Sequence, residues 1–316
     1  MRLSGFTVSA IATALAAITF TSTLLAEKKH SLALQLDKTD DLIQVHHKYF
    51  KLNYDTEPEL VSIRYSYTFN EDLSISSLIQ TGGDDLSDSG LSNVAAFLLD
   101  QNIIGFGSAV NYRYDDWTFG LGASLNTSKA DIAASSKAQR VRSLVFNESI
   151  KSSAVTMDAA YDFDYENFVF STMLTLGYQR TDTEIDLELS HYVVLNGTSV
   201  DTLDTNSEFF EGGYLSPAIT VYYLLDGSDE LLLLPSLSLV WSETIWGETS
   251  SYSNTLRSGV LKKSDLQTES AESGSGSASI SLMVLWGDYY GDVSVGQSFS
   301  SDSENQTMSF SLGMDF

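Results

Sequence analysis

Cysteine is absent from the 316 residues and proline occurs three times. The first absence excludes a disulfide framework, a Cys-ligated zinc site, a cysteine nucleophile and lipid attachment at an N-terminal cysteine. Basic residues are scarce: 17 Lys and Arg stand against 42 Asp and Glu, for a formal net charge of -25. Such a chain has no cationic surface with which to neutralise phosphates, so no nucleic-acid partner is expected. Apart from the N-terminus, no window approaches the roughly 18 consecutive apolar residues that a membrane helix needs. What is abundant is an odd mixture. Hydrophobic residues make up 43% and aromatics 11%, too rich for a disordered acidic chain, yet mean hydropathy is only -0.04. Serine fills 48 positions, spread along the chain.

The N-terminus sets the compartment. Met1 to Ala26 has a basic residue, Arg2, then an apolar core from Ile11 to Phe20, and no acid. Ala26 before Glu27 offers a small-residue cleavage point, which reads as a secretory signal peptide over 1–26. A mature chain in a membrane would then have to cross it as strands.

The remainder alternates. Met308, Phe310, Leu312, Met314 and Phe316 are apolar, and Thr307, Ser309, Ser311, Gly313 and Asp315 between them are polar or small. That is a period of two over a whole strand, ending on an aromatic carboxy-terminus. The same pattern occurs in Val61 to Phe69, Ile104 to Tyr114, Trp117 to Leu125, Val155 to Phe163, Phe168 to Tyr178, Leu215 to Leu225, Leu231 to Trp241, Ala278 to Trp286 and Val293 to Phe299. A weaker run covers Leu73 to Ile79, and the least regular, near Leu42 to Leu52, is expected to be the first strand. Short turns (Asn70 to Asp72, Asp115-Asp116, Asp164 to Glu166, Asp226 to Glu230, Gly287 to Tyr290) alternate with long polar connections (Gln80 to Asn102, Thr127 to Lys151, Thr181 to Gly212, Gly247 to Ser277).

Short turns at one rim and long loops at the other describe an all-β, closed antiparallel transmembrane barrel of the bacterial outer membrane, with about twelve strands and both termini in the periplasm. The expected division is a signal peptide 1–26, a short periplasmic or lumenal segment 27–41 and a barrel 42–316. A soluble β-sandwich is the competing arrangement. Its strands average about five or six residues, whereas these run longer. Aromatics also collect beside the short turns, at Tyr67, Phe69, Tyr114, Trp117, Phe163, Phe168, Trp286, Tyr289 and Phe316, as an interfacial girdle would. Pro217 and Pro235 each remove one ladder donor and are expected at bulges or rims.

The final strand, carried by Met308, Phe310, Leu312, Met314 and Phe316, resembles the terminal signature that the barrel-assembly machinery reads in outer-membrane barrels. Two stretches resemble the autotransporter β-domain. One is Ala109-Val-Asn-Tyr-Arg-Tyr-Asp-Asp-Trp-Thr-Phe-Gly-Leu-Gly-Ala-Ser-Leu125. The other runs from Asp158-Ala-Ala-Tyr-Asp-Phe-Asp-Tyr-Glu-Asn-Phe-Val-Phe through Leu174-Thr-Leu-Gly-Tyr-Gln-Arg-Thr-Asp182. The resemblance covers about a third of the chain and implies a twelve-strand barrel with a helix in its pore and a passenger on its N-terminal side. Here fifteen residues, Glu27 to Asp41, precede the expected first strand. As a helix they would extend about 22 Å, short of a full crossing.

Chemistry-bearing residues are sparse. His191 follows Asp182, Glu184, Asp186 and Glu188, which either form an acid–histidine site or the solvated face of a strand above the membrane. His46 and His47 have no motif serine around them. Gly82 to Asp88 is acidic but lacks the spacing of a calcium loop. No enzyme, metal or cofactor is expected. Alternation places Arg64, Arg113, Asp158, Asp162 and Asp292 in the lumen, where charges tune conduction or pair across the barrel. Lys129, Lys137, Arg140, Arg142 and Lys151 either contact lipopolysaccharide phosphates, fold inward over the acidic lumen or lie on a solvated loop. The expected partners are therefore outer-membrane lipid, lipopolysaccharide and the assembly machinery. The expected role is structural, surface or translocation, with a porin-like channel for small solutes or cations as the alternative.

Overall fold

The computed structural model describes residues 29–39, 41–47, 50–88, 94–136, 141–193, 198–228, 231–257, 260–263, 267–270, 274–300 and 304–316. The signal peptide expected over 1–26 lies outside them. The described residues form strands β1 (His30–Thr39), β2 (Asp41–His47), β3 (Phe50–Thr56), β4 (Glu59–Thr68), β5 (Leu73–Asp88), β6 (Val94–Tyr114), β7 (Trp117–Ser136), β8 (Val141–Tyr165) and β9 (Phe168–Val193). They continue with β10 (Thr198–Tyr223), β11 (Leu225–Ser228), β12 (Leu231–Arg257), β13 (Val260–Lys263), β14 (Gln267–Ser270), β15 (Gly274–Trp286), β16 (Tyr289–Ser300) and β17 (Glu304–Asp315).

Twelve of these make the wall, in the order β10-β9-β8-β7-β6-β5-β4-β1-β17-β16-β15-β12, and β12 pairs back onto β10. The ring is closed and antiparallel. A sheet surrounded by hydrocarbon has no water to satisfy an open edge, so closure satisfies every wall strand on both sides.

The first strand is not where the sequence pattern put it. His30–Thr39 fills that place, paired with β17 from Ser31–Asp315 to Thr39–Thr307 and with β4 on its other side. Of residues 42–52, those described (42–47 and 50–52) instead fall in β2 and β3, which pair with each other as a separate two-stranded sheet. Thus 30–39 belong to the wall rather than to a periplasmic or lumenal segment. The reason is plain in retrospect. Leu32, Leu34 and Leu36 face outward and Ala33, Gln35 and Asp37 inward, a period of two that a short segment flanked by charged residues concealed.

Outward side chains are apolar and bare, as lipid-facing residues must be in a chain seen without its lipid. Ile63, Ile104, Phe106, Leu121, Leu125, Met157, Leu176, Ile280, Met308 and Leu312 are all exposed. Inward partners are small or polar, including Ser62, Ser76, Ser124, Thr156 and Ser171, all buried. At the short-turn rim the rings touch in series. Tyr67 packs on Phe69, Trp117 on Tyr161, Phe163 on Phe170 and Phe168 on Tyr223, with centroids 4.8–4.9 Å apart. A second group, Tyr178 with Trp246 and Trp241 with Phe299, lies farther up the strands. Two aromatic bands bracketing an apolar one are the interfacial arrangement of a membrane barrel.

The two prolines fall at interruptions of the β10–β12 ladder. Its pairing skips from Leu215–Glu243 to Ala218–Val240 around Pro217. Pro235 follows the place where β12 exchanges β11 for β10, since Leu233 pairs with Leu225 and Ser236 with Tyr222.

The long connections are a larger departure. Most of their residues extend the wall strands instead of looping. β8, β9, β10 and β12 have 25, 26, 26 and 27 residues, while β1, β4, β16 and β17 have 10, 10, 12 and 12. At about 3.3 Å per residue and a tilt near 40°, a 26-residue strand rises roughly 65 Å, well past an apolar band about 25 Å tall. One side of the barrel therefore carries a tall β-wall.

Candidate functional site in the lumen and the outer wall

Along β9 the alternation never breaks, but the polarity of its faces exchanges. Leu174, Leu176 and Tyr178 face outward, and directly above them on the same face come Arg180, Asp182, Glu184, Asp186 and Glu188. The inward face runs the other way, from Ser171, Thr175 and Gln179 up to Ile185 and Leu187. A side chain's preferred face depends on what surrounds the barrel. In lipid the apolar face points out. Above lipid, where water is outside, the apolar face points in.

The neighbouring strands switch at the same level. Leu99 of β6 pairs with Ile132 of β7, Ile132 with Phe146 of β8, and Phe146 with Leu187 of β9. All four are 1% exposed. One cross-strand row of apolar side chains thus forms a packed interior inside the tall wall. Ala130 and Ile185, each next to this row, are buried with it. Glu208 of β10 faces the same interior two steps lower, opposite Thr183. Although exposed, it is desolvated enough there for its carboxyl pKa to lie above the ordinary glutamate value.

Within the membrane-spanning part, the five expected lumen charges all take inward positions. Arg64 of β4 donates from Nη2 to Gln35 Oε1 of β1 at 3.4 Å, and Gln35 Nε2 donates to both oxygens of Asp37 at 2.8 and 3.0 Å. Asp158 accepts from Thr175 Oγ1 at 2.7 Å, and Asp162 from Ser171 Oγ at 2.5 Å. Asp292 is hydrogen-bonded to Ser281, whose hydroxyl also meets Ser236 at 2.7 Å. Arg113 sits at the short-turn rim, where Nε donates to the Asp115 carbonyl at 3.3 Å. These side chains are spread over β4, β6, β8 and β16 rather than gathered in one constellation.

Three lumen tyrosines were not foreseen: Tyr214, Tyr222 and Tyr290. Tyr222 interacts electrostatically with Asp162 and Asp292, and Tyr214 with Asp158. Tyr290 OH lies 2.9 Å from Ser31 Oγ. The rings of Tyr214 and Tyr290 cover inward glycines, since a Cβ at Gly177 would overlap the Tyr214 ring and one at Gly313 the Tyr290 ring. A tyrosine opposite a glycine was the available signal.

The other sequence candidates dissolve into the wall. Asp182, Glu184, Asp186 and Glu188 are the outward face of β9, the second of the two arrangements considered for them. His46 and His47 end β2, and Gly82 to Asp88 continue β5 in register with β6. Lys129 and Lys151 face outward on β7 and β8. Among the described residues no group of three or more His, Asp or Glu could hold a metal ion.

Solved structures share this architecture. The translocator domain of the autotransporter NalP from Neisseria meningitidis superposes with a TM-score of 0.59 at 10% identity, covering 98% of this chain and 96% of that one. The fold is that of an autotransporter β-domain. The β-domain of the Bordetella autotransporter BrkA superposes with a TM-score of 0.54 at 11% identity, covering 92% of this chain and 100% of that one. No protein-family model and no curated protein matches the sequence. The chain is therefore an outer-membrane β-barrel of autotransporter-like fold, its likeness lying in strand number, order and closure.

Proposed function

We propose that this barrel serves at the cell surface, holding a tall acidic β-wall above the outer membrane. The carrying observation is the exchange of faces on β6 to β9. An apolar interior row with outward Asp100, Asp131, Asp186 and Glu188 is built for water outside, and it lies on the same strands that are apolar toward lipid below. A negatively charged wall repels other anionic surfaces and attracts cationic ligands. Export by the 1–26 signal and insertion through the assembly machinery, with Met308 to Phe316 as the recognised strand, complete this reading. Outward Lys129, Lys151 and Arg180, just above the apolar band, are the residues offered to lipopolysaccharide phosphates. The test is display. A cysteine placed at Glu188 should react with a membrane-impermeant maleimide on intact cells, and failure to react would remove the surface role.

A second reading is a cation-preferring pore. It is favoured by lumenal Asp158, Asp162 and Asp292, which outnumber lumenal Arg64 and Arg113. The packed row at Leu99, Ile132, Phe146 and Leu187 weighs against an uninterrupted water path on that side of the outer half. Stepwise conductance in planar bilayers decides between the two.

A further inference from the structure

Gly120 leaves a gap in the inner wall between two oxygens. It lies on β7 directly opposite Asn111 of β6 on one side and Asp158 of β8 on the other. The point that a Cβ at Gly120 would occupy is 3.1 Å from Asn111 Oδ1 and 3.1 Å from Asp158 Oδ2. Asn111 is only 5% exposed, and its Oδ1 has no hydrogen-bond partner. A buried amide carbonyl without a partner is costly, so Asn111 Oδ1 is an acceptor with capacity for a ligand. Asp158 satisfies one need through Thr175, which leaves its remaining acceptor capacity and its charge directed over the glycine.

The next inward position on β7 repeats the motif. Gly122 lies opposite Thr156, whose Oγ1 sits 2.8 Å from the Cβ point, is buried and has no hydrogen-bond partner. Two glycines in succession thus form a bare strip bordered by a carboxylate, an amide carbonyl and a hydroxyl. Carboxylate and carbonyl oxygens accept hydrogen bonds and donate none when the acid is ionised. Two of them facing one point repel each other unless a positive group lies between them. Oxygens of this kind are the ligands that hard cations take.

The geometry points to a monovalent-cation site over Gly120, held by Asp158 and Asn111 in the lumen wall. The glycine is what makes room for the ion. Waters from the lumen complete its shell. The site needs a hydrated lumen wall and depends on neither the surface reading nor the pore reading.

Thallium(I) is the probe, because its anomalous scattering locates it without any assay of activity. Crystals of the refolded protein grown with thallium(I) acetate in place of sodium salts should show an anomalous peak over Gly120, within coordinating reach of Asn111 Oδ1 and Asp158 Oδ2. Gly120→Ala fills the gap and should abolish that peak, while the barrel keeps its heat-modifiable gel shift. Asn111→Ala, which adds no atoms, should abolish it too and serves if Gly120→Ala does not fold. Three results overturn the assignment: no peak in the wild type with an ordered water in its place, an Asn111 amide turned so that Nδ2 donates to Asp158, or a peak that survives in the variants.

Discussion

The ring of Tyr290 lies over Gly313, its directly opposite neighbour across the β16–β17 pair. A methyl group at Gly313 would overlap the ring, whose hydroxyl is meanwhile held by Ser31 of β1. One aromatic thus ties three consecutive strands at the point where the chain's first and last strands meet. Gly313→Ala should cost roughly 1–3 kcal/mol through overpacking. Tyr290→Ala in the same chain should relieve part of that cost, because the two sites share one contact. Urea unfolding in lipid vesicles over the four members of the cycle measures the coupling. Strict additivity would show that the contact is not what sets the cost.

The same seam predicts how the barrel closes. His30 N donates to the Phe316 carbonyl at 3.0 Å, Phe316 N donates to the His30 carbonyl at 2.8 Å, and the two rings stack with centroids 5.3 Å apart. His30 Nδ1 also lies 2.8 Å from Tyr65 OH. Deleting 30–39 removes a whole wall strand, so the variant should lose the heat-modifiable folded band. Deleting 42–52 removes residues of the separate hairpin, and the folded band should survive. The reverse outcome would restore the strand assignment that the sequence pattern first suggested.

The tall wall should be separable from the membrane barrel. Phe146 is 1% exposed within the interior row, so Phe146→Ala should cost about 3–5 kcal/mol locally. Hydrogen exchange should then quicken in the upper halves of β7, β8 and β9 while the lipid-facing halves stay protected. Uniform loss of protection would mean that the wall and the barrel are one cooperative unit.

Glu208 supplies a pH-dependent prediction. Partial desolvation raises its folded pKa although the side chain remains solvent-exposed, so its carboxylate disfavours the fold only weakly. The sign follows from proton binding. The folded state holds the proton to higher pH than the unfolded one, so this residue stabilises on acidification through its folded pKa and destabilises above it. Glu208→Gln should therefore raise stability at neutral pH and flatten the pH dependence in the acidic range. Unfolding midpoints measured from neutral to mildly acidic pH check this.

Much of the barrel was legible because period-two alternation in lipid is unmistakable. Met308 to Phe316, Val155 to Phe163 and Phe168 to Tyr178 all fall on strands with the expected facing. Alternation in a different solvent was legible only in part. Asp182, Glu184, Asp186 and Glu188 read as the solvated face of a strand above the membrane, but the stretch around them is polar enough to read as a long connection, and the inward packing of Ile185 and Leu187 needs the neighbouring strands. The first strand escaped for another reason. Leu32, Leu34 and Leu36 lie in the short segment expected to precede the barrel, and only their pairing with Met314, Leu312 and Phe310 reveals their place. Parity alone assigns the lumen charges to the inward face, whereas the Gly120 gap needed three strands brought side by side.

The most direct test of the exchange of faces is a cysteine scan along β9, which the absence of native cysteine makes clean. Single cysteines at Leu174, Leu176, Asp186 and Glu188 all point outward. On intact cells a membrane-impermeant maleimide should label positions 186 and 188 and leave 174 and 176 unreacted. Labelling at 174 and 176, or none at 186 and 188, would contradict a wall that leaves lipid and rises into water.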